Sequence, residues 1–160
     1  MENDTIQTVA VQTVTDEMEN MYLNFRVDSE VYGIEIRHVL QIIGMQEINE
    51  MPESSPDMKG FINLRGNIIP VYSMRLRFGK IEDEYTDRNC IIVVMVDEKE
   101  IGLIVDAIEE TITIEPDSIS PPPTVGTSVD NPYAKGIAQL PEGRIAILLD
   151  THILFTNNQL

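Results

Sequence analysis

The chain has 160 residues, enough for one large domain or two small ones, and 42% of them are hydrophobic, enough for a core. It carries 27 Asp and Glu against 11 Lys and Arg, a formal charge of −16 at pH 7. Nucleic acids and anionic membranes are bound through Lys and Arg, so this balance disfavours both and leaves proteins or small molecules as partners.

Residues 1–20 hold five acids (Glu2, Asp4, Asp16, Glu17, Glu19) and no Lys, Arg or aromatic residue. They read as a disordered acidic tail, with a marginal helix as the alternative. The stretch lacks the cationic start and apolar run of a secretory leader. No stretch of the chain has the length and apolarity to span a bilayer.

From residue 21 the chain reads as β. "FRVDSEVYGIEI" predicts a hairpin turning at Asp28-Ser29-Glu30. "FINLRGNIIPV" predicts another, with Gly66 supplying the positive φ of the turn and Pro70 marking an edge or the end of pairing. Arg65 sits at its tip and must reach solvent or a partner, because a buried unpaired guanidinium is prohibitive. "SMRLRFG" predicts a helical turn ending at Gly79. "CIIVVMVDEKEIGLIV" predicts a hairpin turning at Asp97-Glu98-Lys99, and "PPPTVGTSVDNP" (121–132) a loop.

Two stretches repeat. "VDSEVYGIEIRHVLQII" (27–43) aligns without gaps to "VDEKEIGLIVDAIEETI" (96–112), pairing Gly33 with Gly102 and Val39 with Ile108 at an offset of 69. "KGFINLRGNIIPVYS" (59–73) resembles "KGIAQLPEGRIAILLD" (135–150) at an offset of 76 at the Lys-Gly. The expectation is an all-β fold with short helices. It has two tandem units of about five strands, roughly 21–89 and 90–158, each suited to a small β-barrel. Exchange of strands between the units is left open.

No catalytic constellation stands out. His38 and His152 each sit alone in apolar sequence, with no Cys or His pair at metal-ligand spacing. There is no phosphate-cradling glycine motif. Ser54, Ser55 and Ser73 lack an elbow motif or an evident base. Asp28, Glu30, Asp97, Glu98 and Glu100 lie in turns, where they keep β-edges soluble, and nothing singles out Glu109-Glu110 for acid–base work. Cys90, the only cysteine, opens an apolar run and reads as a small half-buried side chain. A chain with one cysteine forms no internal disulfide, which suits a reducing cytoplasm. The reading is no enzyme, no cofactor and no metal.

The Gly33 bend, "HVLQII", "KGFINLRGNIIPVYSMRLRFG", "IIVVMVDEKEIGLIVDAI" and "SPPP…YAKGIAQL…RIAILLD" together resemble the CheW family of chemotaxis adaptors over about residues 21–155. The resemblance implies a CheW-like domain over 21–158, built as two SH3-like five-stranded barrels. It implies a cytoplasmic, non-enzymatic adaptor that links chemoreceptor cytoplasmic tips to the regulatory domain of the chemotaxis histidine kinase and meets the membrane only through receptors. The positions matching the family's receptor groove are Val39, Gly60, Arg65, Cys90, Ile91 and Ile108; Gly136 matches the kinase side. Gln41 stands where many members have Glu, and Ser73 where many have Asp. Residues 21–89 carry eight cations and eleven acids, residues 90–158 three and eleven, a contrast that favours head-to-tail contact in a kinase–adaptor ring. The alternatives are a small-molecule binding module with a pocket between two barrels and a hydrolase of unrecognised type.

Overall fold

The computed structural model describes residues 18–52, 55–122 and 131–156. The tail expectation for residues 1–17 and most of the 121–132 loop lie outside the described residues.

The predicted hairpins form. β1 (Met21–Val27) and β2 (Glu30–Glu35) are the first; β6 (Cys90–Val96) and β7 (Lys99–Val105) are its repeat. Then come β3 (Val39–Gly44), β4 (Met58–Leu64), β5 (Asn67–Ser73) and helix α1 (Met74–Arg77), and in the second half β8 (Ala107–Thr113), β9 (Ile119–Ser120), β10 (Ala134–Gln139), β11 (Ile145–Leu149) and helix α2 (Thr151–Thr156). The Ser73 hydroxyl caps α1 by accepting from the Leu76 amide at 3.3 Å, and Gly79 closes it at φ 76°. Asp150 caps α2, accepting from the His152 and Ile153 amides.

Two sheets result, ordered β8-β1-β2-β11-β10-β9 and β3-β6-β7-β5-β4. Each first hairpin therefore pairs with strands from the other half of the chain, which crosses between sheets at the 3-10 turn Ile36–His38 and again at Asp106. The sheets have six and five strands rather than five each. The sixth is the two-residue β9, and its counterpart in the other sheet is a single bridge between Asn49 and Phe61.

The repeat extends to register. In one sheet Leu148 of β11 lies parallel and opposite Gly33 of β2; in the other Val71 of β5 lies opposite Gly102 of β7. A Cβ at Gly33 would lie 2.9 Å from Leu148 Cδ2, and one at Gly102 2.7 Å from Val71 Cγ1, so both crossings need a residue without a side chain.

Three core clusters follow. Tyr22, Val31, Ile114, Ala138, Leu140, Ala146 and Leu148 fill the inner face of the six-stranded sheet. Ile62, Ile69, Val71, Ile91, Val93 and Ile104 do the same for the five-stranded one. The largest cluster is the seam between them, with Phe25, Tyr32 and Ile34 facing Ile92, Val94 and Leu103, and with Met74 and Leu154 from the helices. Because β6 is buried on both faces, its sequence is continuously apolar instead of alternating.

Candidate functional site

Arg65 and Gly66 form the two-residue tip between β4 and β5, with φ of 55° and 86°. Both residues are left-handed, as a tight hairpin turn requires. The sequence reading assigned that role to Gly66 alone. The Asn63 side chain braces the turn by accepting from the Gly66 amide at 3.0 Å. Arg65 is exposed. Eight of the chain's eleven Lys and Arg have a carboxylate partner; among the described residues Arg65, Arg88 and Lys99 have none. In a chain with 27 acids, a guanidinium without one is open to a partner's acceptor.

The other positions matching the receptor groove are spread over the molecule. Val39, on the edge strand β3, is half-buried and packs on the seam; its repeat mate Ile108, on the edge strand β8 of the other sheet, does the same. Cys90 starts β6, opposite Gly44 and Val105, half-buried, with its thiol pKa raised by burial. Ile91 is fully buried inside the five-stranded sheet, and Gly60 is buried at a bulge of β4. Neither is a surface position, and Ile91 packs in the core of the five-stranded sheet, away from the seam that Val39 and Ile108 contact. Gly60 has φ 140°, and a Cβ there would collide with the Asn49 carbonyl oxygen. Gly136, at the matching bulge of β10, is buried against Ile119 of β9. The structure thus places Val39 and Ile108 on one seam and Cys90 beside Ile91, and sets Arg65 apart at the hairpin tip.

Beside that tip lies an open groove of about 750 Å³ lined by Ile68, Pro70, Tyr72, Met95 and Phe155, with Asp97, Glu98, Lys99 and Glu100 on its rim. Ile68 is 67% exposed, a residue the sequence reading passed over although an isoleucine next to a turn was the available signal.

The second feature missed is Arg77, whose side chain is 1% exposed. Its Nη1 donates to Asp57, and its Nε (2.9 Å) and Nη2 donate to the Leu154 carbonyl of α2. The rings of Phe155, Tyr72 and Tyr133 surround it at 5.0, 5.3 and 5.8 Å. Burial would raise the Asp57 pKa, but hydrogen bonds from Ser55 and Arg77 and the Arg77 charge bring it below the usual range. One cation thus ties α1, the approach to β4 and α2 together.

Each of the two histidines faces a carboxylate. His38 Nε2 lies 3.0 Å from Glu35 and His152 Nδ1 3.3 Å from Asp97. Among the described residues no group of His, Cys, Asp and Glu could hold a metal ion, and no helix is long and apolar enough to cross a membrane.

Comparison with known proteins matches residues 21–159 to the family model described as CheW-like domain. The chain is 31% identical to a probable chemotaxis protein CheW of Rhizobium etli, over 84% of this chain and 86% of that one. It is 29% identical to the chemotaxis protein CheA of Treponema pallidum over 80% of this chain and 15% of that one. Among solved structures, the scaffolding protein TtCheW of Thermoanaerobacter tengcongensis superposes with a TM-score of 0.79 and 36% identity, covering 87% of this chain and 94% of that one.

Proposed function

The chain belongs to the CheW-like family, and from that membership we propose that it is a non-enzymatic, cytoplasmic adaptor coupling chemoreceptor cytoplasmic tips to the chemotaxis histidine kinase. We read residues 21–158 as one functional domain, its two sheets as SH3-like barrels that exchange their first hairpins, and residues 1–20 as a tail outside it. The observation that carries the site is Arg65: a guanidinium in a strongly acidic chain, held out on a braced turn with no carboxylate partner among the described residues. Arg is over-represented among interface anchors because its planar fork matches carboxylates and carbonyls. Val39, Ile108 and Cys90 supply half-buried apolar surface for a receptor helix, Ile91 and Gly60 act through the packing of the five-stranded sheet, and Gly136 belongs to the kinase side.

The small-molecule reading is the weaker one. The space between the sheets, where its pocket was expected, is filled by the side chains of the largest core cluster. The test is co-sedimentation with a receptor cytoplasmic fragment and the kinase, with kinase phosphorylation followed in the same mixture. Coupling of phosphorylation to receptor in the presence of this chain supports the reading; absence from the pellet, or kinase output indifferent to it, rejects it.

A further inference from the structure

We infer that the groove between β2 and β11 is covered by this chain's own N-terminal segment, with Glu2 and Asp4 meeting Arg26 and Arg144, and Ile6 meeting Ile145. The groove arises where two parallel strands splay. β2 and β11 pair only at Tyr32 with Ile147 and Gly33 with Leu148, so the first two residues of each strand stand apart. The gap has a volume of about 510 Å³, with Val31 and Ile147 as its floor and Arg26, Glu30, Arg144 and Ile145 at its sides. Ile145 is 42% exposed. The repeat mate of this groove is the one beside Arg65, at the splayed start of β5 and β7, and the two differ in charge. Arg26 and Arg144 stand where the mate has Met95 and Asn67, and Val31 stands where it has Glu100. The mate is lined by three carboxylates and one ammonium. This groove is lined by two guanidiniums and one carboxylate, Glu30, which Lys80 answers at 3.1 Å. In a chain of 27 acids and 11 bases, the sign is inverted here. Both guanidiniums keep unused donors. Of five N–H groups each, Arg26 directs Nε and Nη2 at one oxygen of Glu109, at 2.7 and 2.6 Å, and Arg144 reaches Glu110 only at 3.5 Å.

The occupant is argued from charge, length and tether. The chain opens with "MENDTI", which sets Glu2 and Asp4 two residues apart, places Ile6 just beyond, and holds no Lys or Arg. Residues 1–17 precede β1, and Ile6 lies fifteen residues before Met21, a reach of up to about 50 Å. Arg26 is on β1 itself, five residues past Met21 and so about 17 Å along the strand. A segment tethered this closely has an effective concentration on the order of millimolar, so a groove of modest affinity fills from its own chain before it fills from a partner. The mate groove, rimmed by carboxylates, repels the same segment, so of two grooves of one origin only this one accepts it. Salt screens the contact and releases it. The inference does not rest on the adaptor reading, whose residues line neither side of this groove.

Amide proton–nitrogen NMR spectra of the full chain test it. Deleting residues 2–6 should shift the signals of Val31 and Ile145 and leave those of Ile68 and Glu100, in the mate groove, in place. Glu2→Gln with Asp4→Asn should reproduce that shift. Asp16→Asn with Glu17→Gln, the same change of charge nearer β1, should not. From the other side, the Thr5 and Ile6 signals of the full chain should differ from those of a free peptide of residues 1–12. They should move onto the peptide's positions at high salt and in Arg144→Asn, a surface change to the residue the mate groove carries. Thr5 and Ile6 signals that match the free peptide in the wild-type chain, groove signals indifferent to the deletion, or equal shifts from the two neutralised pairs overturn the inference. So do groove signals that ignore the deletion but move when a receptor cytoplasmic fragment is added, which would give the groove to that partner.

Discussion

The two hairpin tips, Arg65-Gly66 and Glu142-Gly143, occupy the same place in the repeat and differ in charge. Their first residues have φ of 55° and 67° and their glycines 86° and 76°. The backbone demand is identical: a left-handed residue followed by glycine. The second tip meets that demand with a carboxylate, so the fold does not require a guanidinium at the first. The backbone leaves the identity of residue 65 open, and the proposed function assigns its arginine to a partner.

The widest departure from the repeat lies at the helices. Arg77 binds the carbonyl of Leu154, and Leu154 is its own counterpart at the offset that aligns the two tips. Charge stands on one side of the junction and an apolar side chain on the other. Arg77→Met removes the guanidinium from the Leu154 carbonyl and from Asp57, which keeps its hydrogen bond from Ser55, and should cost about 3–5 kcal/mol in urea unfolding. Its pH dependence has a definite sign. Asp57 has a folded pKa below the unfolded value of about 3.9, so its contribution is present above that value and lost as pH falls through the folded one. The gap between wild type and Arg77→Met should therefore narrow below about pH 4; a gap constant with pH would show that Arg77 acts by packing alone.

The glycine pair at the bulges gives a graded test. Gly60→Ala meets both a left-handed φ and the Asn49 carbonyl, and should cost about 2–4 kcal/mol. Gly136→Ala meets Ile119 Cγ2 at 2.5 Å, a movable methyl, and should cost about 1–2 kcal/mol. Equal losses in thermal unfolding would mean that the two bulges are not under different constraint.

Asn24 and its counterpart Val93 make a smaller contrast. Both are fully buried, and neither the Nδ2 nor the Oδ1 of Asn24 has a hydrogen-bond partner among the described residues. Asn24→Val should raise stability by about 1 kcal/mol by removing an unsatisfied amide from the six-stranded sheet. A loss of stability in chemical denaturation would show that the amide is satisfied in solution.

These contrasts also mark what could be read from the sequence. The hairpins, the Gly79 stop and the repeat were legible because charged turns and glycines punctuate β-branched runs. The facing of β6 was not: with both faces buried there is no alternation to tell that Ile91 points into its sheet and Ile92 into the seam. Arg77 reads as a surface residue of a short helix, because its burial arises only where the ends of α1 and α2 meet. β9 is two residues long and leaves no pattern. At the candidate site the tip was legible, since the glycine of "LRGN" placed Arg65 on a turn. The grouping of the remaining positions depended on which sheet each strand joins, and a list of strands does not fix that.

The smallest expected change in stability accompanies the most direct test of the adaptor account. Arg65→Glu and Glu142→Arg each give one tip the charge of the other and should alter unfolding by no more than about 0.5 kcal/mol. Titration calorimetry of a receptor cytoplasmic-tip fragment into wild type and the two variants then reads the partner alone. The account predicts that Arg65→Glu weakens binding by about tenfold or more, in line with an anchor worth about 1–2 kcal/mol, while Glu142→Arg binds as wild type. Wild-type affinity in Arg65→Glu, or equal losses in both variants, would contradict it.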